Sequence, residues 1–209
     1  MLKNCYCKSN NWLKRHSMFA WIFLASVVIS GPPLGAFFQQ RMSTHMLIQM
    51  PLLVALGIWG GRIWRRQAIA EGRTVHMIRV YRASGILLAI FSLMTWMIPR
   101  MLDWAVESAS VDALKVFSLV CFAGIPLGLC WPEIGGAVRG VVHLEALATL
   151  ARMGWIYLET PQRLCSRYGL DEQRLTGQLL LILALIYTLY LLFIVCQGLP
   201  VEARTAARP

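Results

Sequence analysis

The sequence predicts an all-α protein, a bundle of about six transmembrane helices, and three observations carry that reading. Of the 209 residues, 57 % are hydrophobic and only 14 % are charged, against roughly a quarter charged in a soluble globular chain. Several apolar runs approach or reach the roughly 20 residues that a helix needs to cross a bilayer. The net charge of +10 sits mostly in the short segments between those runs, where it sets orientation. In lipid every backbone polar group must be satisfied within the segment, so each run is read as a helix.

Residues 1–17 form a basic tail with Lys3, Lys8, Lys14 and Arg15. No A-x-A cleavage site follows, so the first apolar run is read as an uncleaved span. That span covers about Met18–Phe38 and is broken at Gly31-Pro32-Pro33, where proline ends or kinks a helix. Span two runs from about His45 to Trp64. A basic segment follows, with Arg62, Arg65, Arg66, Arg73, Arg79 and Arg82. Span three, about Ala83–Ile98, ends at Pro99 and leads into an acidic loop with Asp103, Glu107 and Asp112. Span four, about Ala113–Trp131, contains Gly124, Pro126 and Gly128. Span five, about Ala137–Tyr157, carries Arg139, His143, Glu145 and Arg152 and is the least apolar. A polar loop from Glu159 to Arg174 leads into span six, about Gly177–Leu199, and residues 200–209 form a short tail. The membrane domain is thus residues 18–199.

With the N-terminus in the cytoplasm, inner loops and tails hold 13 of the 20 Lys and Arg residues. Outer loops hold six: Arg41, Arg100, Lys115, Arg163, Arg167 and Arg174. The positive-inside rule therefore places both termini in the cytoplasm; the membrane is read as a bacterial inner membrane. On that topology Cys165 is open to a label from outside wherever the loop exposes it. No basic, aromatic-interleaved soluble domain exists to bind nucleic acid. A Gly-rich phosphate loop, GxSxG and HExxH are all missing, which argues against an enzyme. Cys121, Cys130 and Cys196 lie in or at the ends of apolar runs and read as small hydrophobes. Cys5 and Cys7 could hold a soft metal, but sit in the reducing cytoplasm.

The stretch Arg41–Gly57, RMSTHMLIQMPLLVALG, has the most chemistry. At about 100° per residue Met42, His45, Met46 and Gln49 share one stripe of a helix, with Met50 at its edge. Thioether and imidazole suit copper, thioether favouring the cuprous ion; methionine is equally an ordinary apolar filler. In span five, His143 and Glu145 lie about 200° apart and cannot share a ligand site. Glu145 and Arg152 share a face two turns apart, and Arg139 and His143 are one turn apart. Intramembrane ionisable residues are functional candidates; here interhelical polar packing is the preferred reading over an ion path.

Residues 31–57, GPPLGAFFQQRMSTHMLIQMPLLVALG, resemble the CtaG-type family of cytochrome oxidase assembly proteins, with its short turn, HMxQHxLL and an apolar run. Trp96–Val106 (WMIPRMLDWAV) resembles that family's WHxPxxYDxAL. FSLVCFAGIPLGLCWPEI is similar to its helix ending in Trp-Pro, and GLDEQRLTGQLLLILALIYTLYLL to its DQxLAGxxMW helix. The matches follow the family's order over most of residues 31–192. The departures are specific. Gln49 and Met97 stand at family histidines, Leu102 at a tyrosine, and the HxxEH of span four reads Asp112, Lys115, Val116. The resemblance implies a membrane-bound assembly factor for a copper-containing respiratory oxidase, presenting copper(I) at the outer face on Met42, His45, Met46 and Met97. Gln49, Asp103, Asp112, Glu172 and Gln173 would support the site or touch a partner. The implied partners are the lipid bilayer and an oxidase subunit, with a homo-oligomer allowed. The alternative is a scaffold of the same complex that holds no metal. A transporter is weakest, because no internal repeat is visible.

Overall fold

The computed structural model describes residues 20–70, 75–165 and 167–206, the side chains of 75, 77 and 198–206 excepted. The Cys5 and Cys7 pair lies outside the described residues. Every regular element described is helical. In chain order these are α1 (Ala20–Ser30), α2 (Leu34–Gln39), α3 (Met42–Ala70), α4 (Val75–Met97), α5 (Pro99–Glu107), α6 (Ala109–Glu133), α7 (Gly136–Glu159) and α8 (Leu170–Ala206).

Four of these helices contain stretches long and apolar enough to cross a membrane: Met42–Ala70, Ile78–Met97, Ala109–Glu133 and Leu170–Gln197. Their outward faces carry large hydrophobic side chains, among them Phe91, Leu87, Leu185 and Phe193. A water-facing surface rarely carries apolar patches of that extent, and a lipid-facing one requires them. The membrane bundle therefore stands. The count is four by length and composition, against the six read from the sequence. The first run breaks at Gly31–Pro33, leaving an 11-residue apolar helix among the described residues and a separate α2. Helix α7 has 24 residues, about 36 Å at 1.5 Å per residue, but its charged residues lower its hydropathy. At the far end, α8 stays helical through Ala206, across the stretch read as a tail.

Proline places the breaks. Ile98, ahead of Pro99, has extended backbone (φ −73°, ψ 122°), the conformation that a following proline imposes, and Pro99 opens α5. Pro51 and Pro126, inside α3 and α6, are absorbed by π-helical segments just before them. Residues His45–Gln49 precede Pro51 in α3, and Leu119–Gly124 precede Pro126 in α6. A proline in a helix removes one i−4 hydrogen bond and crowds that carbonyl, and a π turn takes up the misfit.

Helices α3, α4 and α6 form the centre. The α3–α6 crossing is tight because glycines face each other: a Cβ on Gly57 would meet the Val120 carbonyl at 2.5 Å and Gly124 Cα at 2.8 Å. Gly61 and Gly128 repeat the contact one turn along, so two GxxxG faces let the backbones approach. The α4–α6 contact is held by polar bonds. Trp96 Nε1 donates to Ser118 Oγ (2.6 Å), and Ser118 Oγ donates to the Lys115 carbonyl (3.0 Å). Helices α7 and α8 pair as an antiparallel hairpin, with Gly154 against Gly177 and Leu181. At the end opposite His45, Arg65 pairs with Glu133 at 2.5 Å and Arg79 at 3.8 Å, while Arg139 donates to the Trp131 carbonyl. Cys130 is buried there with Ile78, Ile86 and Ile134, as a small hydrophobe would be.

Candidate functional site

The polar groups singled out in the sequence gather at one end of the bundle. Their centre is His45, which α3 carries at the start of its π segment, fully buried with Met42, Met46, Gln49 and Met50. The helical stripe therefore faces the core, as its spacing requires. Across from it on α6 stands Lys115, also fully buried, its Nζ 3.4 Å from His45 Nε2. The ammonium donates to Asp112 Oδ1 at 2.5 Å, and Gln39 Nε2 donates to the same oxygen at 3.2 Å. Asp112 in turn lines a cleft of about 460 Å³ between α1 and α6. Counted with the outer loops in the sequence, Lys115 instead lies inside α6 as the cation of this cluster.

The chemistry follows from the bonding. A buried charge has to be paired and hydrogen-bonded, and Lys115 meets that with Asp112 and the imidazole. An ammonium donating to Nε2 puts the ring proton on Nδ1, whereas a proton on Nε2 leaves the lone pair on Nδ1. His45 Nδ1 is buried and makes no hydrogen bond, and the same holds for Gln49 Oε1. The other Gln49 group, Nε2, donates to the Ile29 carbonyl at 3.4 Å.

The remaining sequence candidates separate by what they touch. Met46 Sδ accepts from Tyr157 OH at 3.6 Å, so the thioether stripe is also where α7 reaches α3. Met97 packs at the edge of the same core but lines a cleft with Leu93, Glu145 and Thr149, on the α7 side. Asp103 interacts with the thiol of Cys165. Glu172 is partly buried, with Oε2 making no hydrogen bond. Gln173 is a lock. It accepts from the Leu164 N–H at 2.9 Å and donates to the carbonyls of Tyr157, Thr160 and Gln162, tying the 160–169 loop to the end of α7.

That loop buries Cys165 and Tyr168 rather than presenting them. The Cys165 thiol is pushed up to about 12, first by burial and then by the Asp103 charge, and the Tyr168 phenol to about 12, chiefly by burial. Tyr168 OH donates to the Gln39 carbonyl at 2.9 Å, fastening the loop over α2. Cys165 is 1 % exposed, so the labelling open to an exposed loop cysteine is closed to it.

A cuprous ion needs lone pairs. Thioethers are present, but a Lys115 ammonium donating to Nε2 occupies that lone pair and places a positive charge beside the imidazole. With Lys115 protonated against Nε2, the residues do not fit a bound copper ion at His45. Among the described residues no group of three or more His, Cys, Asp or Glu side chains is placed to hold a metal.

Lys115 is the residue that the sequence reading missed. Its signal was the paired GxxxG spacing of Gly57–Gly61 and Gly124–Gly128, which brings α6 against α3. No family model matches the chain, and no curated protein or solved structure matches it.

Proposed function

We propose that the chain is a membrane-embedded assembly protein for a copper-containing respiratory oxidase, acting as a scaffold whose central cation is the Lys115 ammonium. The ordered resemblance of residues 31–192 supports the oxidase assignment. The single observation that favours the scaffold form is Lys115, buried between Asp112 and His45, where a metal-binding site would need an open imidazole. On this reading the protein crosses the membrane six times, α1 and α7 included, with both termini in the cytoplasm and the His45 end outside.

Copper handling is the second reading, and a specific observation favours it. The thioethers of Met42, Met46 and Met50 line the same buried wall as His45. For that reading Lys115 would have to give up its proton or swing away from the ring. Deletion of the gene separates the two. A scaffold leaves the oxidase unassembled, with no response to added copper. A copper handler leaves it assembled but copper-poor, and copper in the medium restores it. Normal oxidase level and copper content in the deletion strain contradict both.

A further inference from the structure

On the proposed reading that α7 crosses the membrane beside α8, it carries an ion pair on its outer surface at mid-membrane depth. Arg152 donates to Glu145 Oε1 at 2.6 Å, and the two side chains are 59 % and 36 % exposed. Contacts with α8 fix the depth. His143 Nδ1 lies 2.5 Å from Tyr187 OH, and Gly154 packs on Gly177 and Leu181. Residues 145–152 therefore sit level with the stretch of α8 between about Leu181 and Tyr187, the middle of its 28-residue apolar run. A charged pair exposed to hydrocarbon is costly, and intramembrane ionisable groups characteristically face protein or water. The cleft of about 200 Å³ beside Glu145 and one of about 390 Å³ beside Arg152 leave this face open on both sides.

We infer that the Glu145–Arg152 face of α7 is the docking surface for a transmembrane helix of a different protein, one that brings an acidic or amide side chain level with Arg152. Charge complementarity selects that occupant. In a symmetric pair of copies sharing one membrane orientation, the two-fold axis runs along the membrane normal. Equal depths then meet, so Glu145 faces Glu145 and Arg152 faces Arg152, and like charges repel. Lipid tails offer neither donor nor acceptor. The face stands whether or not the His45 cluster ever holds a metal.

The test uses the full-length protein in its native membranes, with a photo-crosslinking phenylalanine analogue at Ala148, within about 60° of both Glu145 and Arg152 around the helix, and, as control, at lipid-facing Leu185. The expected result is an adduct to a different chain from position 148 only, its crosslinked peptide lying in an apolar span that contains an ionisable or amide residue. Exchanging the charges, Glu145→Arg with Arg152→Glu, keeps the pair within α7 but reverses what it presents. That exchange should cut the adduct at least tenfold, with the thermal stability of the purified protein unchanged. Adducts to a second copy, adducts to lipid alone, a captured span without such a residue, or an adduct that survives the charge exchange would each overturn the inference.

Discussion

At the scale of single residues the structure turns on Lys115. Removing one partner of a buried ion pair leaves the other charge uncompensated, whereas removing both in favour of apolar groups is often neutral. Lys115→Met is therefore expected to cost about 3 kcal/mol, read as a lowered unfolding temperature in detergent. Asp112→Leu combined with Lys115→Met should recover most of that loss. If the double variant is no more stable than the single one, the pair is not the stabilising unit. Cys165 gives a second residue-scale expectation. With its thiol pushed up to about 12, maleimide at pH 7–8 should leave it unlabelled until the protein is unfolded. The sign of the pH effect follows. The unfolded thiol titrates near 9 and the folded one near 12, so the stability from burying it is complete below about 9 and is lost as pH rises toward 12. Rapid labelling of the folded protein at neutral pH would contradict the buried loop.

At the scale of elements, the α3–α6 crossing positions the cluster, because glycines at the contact allow Lys115 to reach His45. A Cβ at Gly124 would lie 2.6 Å from Gly57 Cα, so Gly124→Ala should force the helices apart at a cost of about 1–3 kcal/mol. Gly140, with open space around its Cβ position, is the control: Gly140→Ala should be neutral or stabilising by up to about 1 kcal/mol. Equal melting shifts for the two would contradict the close crossing. The helical stripe of Met42, His45, Met46 and Gln49 and the break at Pro99 were legible, because periodicity and proline act locally. Lys115 was not, because its burial depends on which helix lies opposite. Glu145 and Arg152 were placed on one face, but at a spacing of about 10 Å; the long arginine side chain closes that gap to 2.6 Å.

For the whole molecule, the apolar surface establishes a membrane bundle, while the proposed orientation rests on the division of basic residues, 13 inside against five outside once Lys115 is counted within α6. A fluorescent-protein fusion at the C-terminus should glow and a phosphatase fusion there should be inactive; the reverse pattern would invert the molecule and move the His45 end to the cytoplasm. The central claim is that the buried lysine serves as this protein's own cation beside the imidazole. The most direct measurement is a competitive titration of the purified protein with cuprous ion against a chelator under reducing conditions, on the parent, the Asp112→Leu/Lys115→Met variant and that variant with His45→Ala. The parent is expected to take up no stoichiometric copper, the charge-free variant to gain a site, and His45→Ala to abolish it. One cuprous ion bound tightly by the parent, and lost on His45→Ala alone, would contradict it.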